Sequence, residues 1–253
     1  MNNSSPTGRP PFIPCLPAGE AVYAIGDIHG HLDLLEQLLN LIAVDVTDKD
    51  WSRVSLVFLG DFIDRGPQSQ AVVERLRQGP RPGPLAATRW ICLIGNHEQV
   101  MLNFLDDVAA GQMWLRHGGL ETVRSYLNEP PLPGWQHDTA GVQALLQRHL
   151  PVAHRDFLAN LPLSHQIGDY FFVHAGIRPG IALDSQDQTD LTWIRHEFLQ
   201  DRRWHGKVVV HGHTPSPQPE SLFNRIGVDT GAYASGRLSA VVLNGSGRRF
   251  LGT

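Results

Sequence analysis

Cysteine is nearly missing from this chain, with two among 253 residues, Cys15 and Cys92. One thiol in a proline-rich leader and one in an apolar run make neither a disulfide framework nor a thiolate metal set, so a reducing cytoplasm is the expected compartment. Long apolar runs are missing as well. Pro6, Pro10, Pro11, Pro14 and Pro17 interrupt the first twenty residues, where neither a signal-peptide core nor a membrane helix can be drawn. Residues 1–19 are expected to form a flexible tail. Nor is there an excess of either charge: 21 Lys and Arg against 25 Asp and Glu give a net charge of -4. That balance offers no general attraction to nucleic acid or to an anionic membrane, so any grip on phosphate has to come from local charge. Repeats and low-complexity blocks are absent after residue 20, and 42% hydrophobic residues suffice for a full core. A single domain over residues 20–253 is expected.

What is present alternates. Ala21 to Ile25 is a short apolar run ending in Gly26, and Leu32, Leu35, Leu38, Leu39 and Ile42 follow at helical spacing. Val54 to Leu59 runs into Gly60 before a helical stretch from Ala71 to Leu76, and Trp90 to Ile94 runs into Gly95 before another from Glu98. This alternation predicts an α/β fold. From about Gln99 to Asn160 the pattern is helical, interrupted by Pro130, Pro131 and Pro133, which reads as a mostly helical insertion. Strand-like runs return at Tyr170 to Val173, Val208 to Val210 and Leu238 to Leu243.

Five polar clusters follow strand-like runs: Gly26-Asp27-Ile28-His29-Gly30, Gly60-Asp61-Phe62-Ile63-Asp64-Arg65-Gly66, Gly95-Asn96-His97-Glu98, His174-Ala175-Gly176 and His211-Gly212-His213-Thr214. Loops beyond strand carboxyl ends converge on a rigid frame and are where open α/β folds bind ligands. Aspartate, asparagine and histidine are oxygen and nitrogen donors that suit Mn, Fe or Zn. Two cations roughly 3.5–4 Å apart need a bridging ligand, which a carboxylate such as Asp61 can provide.

In order and across nearly the whole chain after residue 20, these clusters resemble the signature of the calcineurin-like metallophosphoesterases. Gly60-Asp61-x-x-Asp64-Arg65-Gly66 with Gly95-Asn96-His97-Glu98 is similar to the phosphoprotein phosphatases. His213-Thr214-Pro215, Trp114 with Gly118-Gly119, and Asp229-Thr230-Gly231-Ala232 resemble their bacterial and phage branch. The resemblance implies a β-sandwich flanked by helices and two divalent cations, with Mn favoured over Fe or Zn. Asp27 and His29 would hold the first metal, Asp61 would bridge, and Asn96, His174 and His213 would hold the second. It further implies that Arg65 and Arg195, with Asn96, bind substrate phosphate. Hydroxide generated between the cations would attack, His97 would protonate the leaving oxygen, and Asp64 would orient His97.

His211 is expected to pack or to support a ligand rather than to bind metal, and Asp229 to stabilise a turn or support a ligand histidine. The leading expectation for the substrate is a phosphoserine or phosphothreonine protein, with phosphotyrosine and small aryl phosphates accepted. The alternative is symmetrical hydrolysis of dinucleoside tetraphosphates. Such enzymes often lack the carboxylate that Asp64 supplies, because a phosphate leaving group needs less protonation, so Asp64 and Glu98 tip the expectation toward monoesters. A nuclease is disfavoured by the acidic balance.

Overall fold

The computed structural model describes residues 12–127 and 133–253. In it the first apolar run becomes β1 (Glu20–Ile25), whose side chains have two destinations. Val22 and Ala24 enter an apolar layer with Val57, Phe172 and Val210, while Tyr23 and Ile25 face Leu35, Leu38 and Ile42 of α1 (Leu32–Thr47). A strand covered on both faces has no polar alternation, and this one reads as a continuous apolar run for that reason. The unit repeats in β2 (Arg53–Phe58), α2 (Ser69–Gln78), β3 (Arg89–Cys92) and α3 (Asn96–Asp106). The expected helical insertion is built from α3 and the short α4 (Gly111–Trp114), α5 (Leu120–Tyr126), α6 (Thr139–His149) and α7 (Val152–Ala159). Pro130 and Pro131, two of its expected interruptions, lie outside the described residues.

The second half adds β4 (Ser164–Ile167), β5 (Tyr170–Val173), α8 (Gln188–Trp193), α9 (His196–Leu199), β6 (Val208–His211), β7 (Glu220–Ser221) and β8 (Arg225–Gly227). It ends with α10 (Ala232–Ser235) and the hairpin of β9 (Ser239–Asn244) and β10 (Gly247–Gly252). Two five-stranded sheets result, ordered β10-β9-β1-β2-β3 and β4-β5-β6-β8-β7. In the first, β1, β2 and β3 are parallel, with Ile25 opposite Phe58 and Phe58 opposite Cys92, so their carboxyl ends are level. In the second, β5, β6 and β8 are parallel. The sheets pack face to face through the Val22 layer, with α1 to α7 on one side, and α8 and α9 cover the outer face of the second sheet around Phe171, Val173 and Phe198. The fold is the α/β sandwich with flanking helices that was expected.

Part of the expected tail is not loose. Leu16 is 3% exposed within the inter-sheet layer, its N–H donates to Gly245 O at 2.9 Å, and Cys15 and Asp169 exchange bonds of 2.9 and 3.1 Å. Burial of one leucine and pairing of its neighbours outweigh what the prolines suggest; residues 1–11 lie outside the described set. Among the described residues no helix is long and apolar enough to cross a membrane.

Candidate active site

The level strand ends set six loops side by side: Asp27 and His29 follow β1, Asp61 follows β2, Asn96 follows β3, His174 follows β5, His213 follows β6 and Asp229 follows β8. Five non-glycine residues in the described chain have left-handed backbone, namely His29, Asp61, Asp64, Arg65 and His213, with φ between 46° and 72°. All five belong to these loops. Such backbone costs roughly 1–3 kcal/mol per residue and persists only where surrounding contacts over-determine it, as at functional sites. Close approach tightens the frame: a Cβ on Gly95 would sit 2.2 Å from Asp61 Oδ1, and one on Gly212 would sit 2.2 Å from Asp27 Oδ1. Only glycine lets these loops come together.

The buried donor set has more acceptors than protons. His174 Nδ1 lies 2.8 Å from Leu59 O and His29 Nδ1 lies 2.8 Å from Ile63 O. A carbonyl requires the N–H on that nitrogen, so in the neutral ring each Nε2 turns a lone pair inward. His174 Nε2 there meets Asn96 Oδ1 at 3.0 Å, His213 Nδ1 at 3.1 Å and Asp61 Oδ2 at 3.4 Å. His29 Nε2 faces Asp61 Oδ2 at 3.7 Å. Within the same site His213 Nε2 is buried without a hydrogen-bond partner. His29, Asp61 and His97 form one compact group, and Asp61, His174 and His213 a second, sharing Asp61.

The charges argue in the same direction. Burial, together with the Asp229 and Asp61 carboxylates, pushes Asp27 well above the usual carboxylate range. Burial would raise Asp61 too, but His174, His97 and His29 hold it well below. His174 is raised to about 9 against complete burial, by Asp61 and then Asp27. A buried donor set of this kind, with carboxylates and imidazoles around one shared Asp61, fits two divalent cations sharing a carboxylate.

Behind this set, the carboxylate of Glu98 accepts from Gly95 N and Asp61 N, both at 2.9 Å, from Phe62 N at 2.8 Å and from Ile63 N at 3.3 Å. It welds the β2 and β3 loops together. Beside it, Asp64 is fully buried and its two oxygens are all engaged: Oδ2 with His97 Nδ1 at 2.5 Å and Trp114 Nε1 at 2.6 Å, Oδ1 with Thr122 Oγ1 at 2.6 Å. His97 Nδ1–H therefore points at Asp64, and Nε2 points toward Arg65 Nη2, 3.4 Å away. Burial works against charge on His97, but Asp61 and Asp64 prevail and raise it to about 9.

Trp114 entered the sequence reading only through resemblance, and Thr122 not at all. Thr122 lies 58 residues from Asp64 in the chain, with no local motif to signal the bond.

Arg65 N donates to Gly118 O at 3.2 Å, and its guanidinium lies 4.2 Å above the ring of Tyr233, which also meets His29 edge-on. Arg195 stands across the opening, its Nη1 donating to Thr214 Oγ1 at 3.3 Å. Both arginines line a cavity of about 260 Å³, together with the polar Asn96 and His97 and the apolar Val100, Met113, Trp114 and Trp193. The first turn of α3, carrying Asn96 and His97, also opens here, and helix amino termini favour anions. The structure thus brings all the expected site residues to one place, Arg195 at its rim. Asp229 accepts from Gly231 N at 2.8 Å, a turn bond, and adds its charge beside Asp27. His211 packs edge-on against Phe198, 5.1 Å between centroids, with Nε2 buried and unpartnered.

Residues 21–242 match the model of the calcineurin-like phosphoesterases, and the chain belongs to that family. Members of that family are metal-dependent phosphoester hydrolases that normally bind two divalent metals. Among its relatives is a symmetrical bis(5'-nucleosyl)-tetraphosphatase of Methylococcus capsulatus, 36% identical over 163 residues, which are 63% of this chain and 44% of that protein. One of the same description from Dechloromonas aromatica is 32% identical over 160 residues, 63% of this chain and 45% of that protein. The chain thus spans less than half the length of these relatives. The asymmetrical bis(5'-nucleosyl)-tetraphosphatase PrpE of Oceanobacillus iheyensis is 25% identical over 235 residues, covering 85% of this chain and 86% of that protein. A solved structure provisionally described as a diadenosine tetraphosphatase shares the fold with a TM-score of 0.61 at 23% identity, over 96% of this chain and 95% of the other.

The expectation of a phosphoserine and phosphothreonine phosphatase is overturned by these relatives, which favour the dinucleotide alternative. Asp64 misled for a physical reason. With Trp114 and Thr122 among its partners it is a structural hub as well as a neighbour of His97, so its presence has a structural reason beside any leaving group.

Proposed function

We propose that this chain hydrolyses dinucleoside tetraphosphates, splitting a phosphoric anhydride bond with water. The reading is carried by the similarity to bis(5'-nucleosyl)-tetraphosphatases, partial for the symmetrical enzymes and nearly end to end for an asymmetrical one. The exposed thiol of Cys15 suits a reducing compartment such as the cytoplasm.

The residues divide the work. Asp27, His29 and Asp61 would hold one cation, and Asp61, Asn96, His174 and His213 the other; Mn is the first choice, with Fe and Zn suited to the same donors. Bound there, the cations supply Lewis acidity, neutralising phosphoryl oxygens and lowering the pKa of water. Arg65 and Arg195 grip the polyphosphate from opposite sides, each through a planar fork that suits paired phosphate oxygens. His97, oriented through Nδ1 by Asp64, presents Nε2 to the leaving side and holds the proton there. As the water oxygen bonds to phosphorus and gives up a proton to solvent, the bridging P–O bond breaks. The departing nucleotide takes the electron pair and the proton from His97.

The test is product analysis. Protein stripped of metal and reloaded with Mn is given diadenosine tetraphosphate and, separately, a phosphoserine peptide. Dinucleotide turnover giving two ADP marks symmetrical cleavage, and ATP with AMP marks asymmetrical cleavage. Turnover of the peptide alone would reject the reading.

A further inference from the structure

Around the site the aromatic rings differ in what they still have free. Trp114 is 3% exposed, with its N–H on Asp64 and its ring on Phe104. One face of Tyr233 carries the Arg65 guanidinium. Trp193 is 45% exposed, and its ring contact among the described residues is edge-on to His213, at 6.2 Å and 79°. The helix end that carries it is held: α8 ends at Trp193, and beside it Thr192 Oγ1 donates to Gln99 of α3 at 3.0 Å and Leu191 O accepts from Ala175 N at 2.9 Å. Met113, 62% exposed, lines the same cavity, so two large apolar side chains meet solvent at one opening. Exposed apolar surface gathered beside a polar site marks a place where something binds.

The occupant has to satisfy both kinds of lining in that cavity. Arg65, Arg195 and His97 call for phosphate, whereas Val100, Met113 and Trp193 call for a flat apolar body next to it. At about 260 Å³ the space is smaller than the roughly 300–1,000 Å³ of pockets that enclose a whole drug-sized ligand, so it takes one ring system and not two nucleosides. We infer that Trp193 is the stacking platform for one nucleobase of the substrate, with Met113 closing over the base and the adjoining phosphate held between Arg65 and Arg195. This rests on the dinucleotide reading above and assigns a residue that binds carrier rather than phosphate. A purine offers a large π face and Trp193 an exposed one on a held helix end, so stacking needs only that ring to be ordered on binding.

The test compares two ligands that differ only in the base. Binding of AMP and of ribose 5-phosphate to the Mn-loaded protein is measured by calorimetry for the wild type, Trp193→Ala and Trp193→Phe, while wild-type cleavage of diadenosine tetraphosphate is followed in parallel. AMP should bind wild type roughly five- to a hundredfold more tightly than ribose 5-phosphate, the range expected for one base stacked on an aromatic ring. Trp193→Ala should erase that ratio by weakening AMP, and Trp193→Phe should restore most of it. A ratio near one in wild type, or a ratio that survives Trp193→Ala, overturns the stacking role. If AMP preference depends on Trp193 while diadenosine tetraphosphate is left intact, the platform stands and the dinucleotide reading falls.

Discussion

Carboxylates in this protein are treated in two ways. Four away from the site are met by arginine: Asp45 by Arg249, Asp190 by Arg178, Asp201 by Arg203 and Glu220 by Arg225. At the strand ends, among the described residues, the ion-pair partners of Asp61 are imidazoles, His29 at 3.7 Å, His97 at 3.8 Å and His174 at 3.4 Å, and Asp27 is met by the backbone N–H of His213. Burying charge without a partner costs several kcal/mol per ion. The chain neutralises those four from within, as it does Glu98 and Asp64, and leaves Asp27 and Asp61 to be neutralised by what the site binds.

The sharpest way to break this contrast is to remove the shared carboxylate. Outer partners of metal ligands are worth roughly 10- to 100-fold in affinity or activity, so Asp61→Ala should cost at least about 100-fold in turnover. Elemental analysis should show fewer bound Mn than in wild type, and full metal content with normal turnover would remove Asp61 from the bridging role.

Glu98→Gln comes next, because it replaces an acceptor-only group that serves four N–H donors with an amide that must point its own N–H at some of them. Unfolding in denaturant should show a loss of about 2 kcal/mol. An unmoved midpoint would mean that the two loops are joined by other contacts.

Asp27→Asn should act in opposite directions in the two metal states. Relieving repulsion from Asp61 and Asp229 should raise the melting temperature of the metal-free protein by roughly 2–4 °C, the shift expected for about 1 kcal/mol at this size. The rise that Mn produces in wild type should shrink. A metal-free variant that melts below wild type would contradict the idea of uncompensated charge.

Asp45 serves as the peripheral control. Burial opposes its ionisation, but the Tyr23 hydroxyl and the Arg249 guanidinium hold it below the usual range. A depressed carboxylate adds stability that is complete above its unfolded value, about 3.9, and disappears as pH falls through its folded value. Asp45→Asn should therefore cost under about 1 kcal/mol at pH 7, with the gap closing as pH falls through the lowered folded value. Metal binding by the variant should match wild type.

The parts of the fold and site that could be read in advance share a local cause. β1, β2, β5 and β6 showed as apolar runs because both faces are covered, and the cation-site residues showed because each lies a few positions beyond such a run. β10 escaped because an edge strand rich in arginine, with Arg249 on Asp45, has no apolar run to show. The two-residue β7 is too short to have a period. The substrate was misjudged because Asp64 was weighed as chemistry alone, when its bonds to Trp114 and Thr122 span 50 and 58 residues.

Residue order alone was enough to specify an α/β fold and a set of oxygen and nitrogen donors at its strand ends, since period and motif act over a few neighbours. Folding in three dimensions settled which atoms face one another. It turned the His29 and His174 lone pairs inward by giving their other nitrogens to Ile63 and Leu59, and it made Asp64 a hub. It also carried Trp193 and Met113, eighty residues apart, to the mouth of one cavity. Such pairings depend on side-chain direction and on contacts distant in the chain, and no stretch of sequence encodes them by itself.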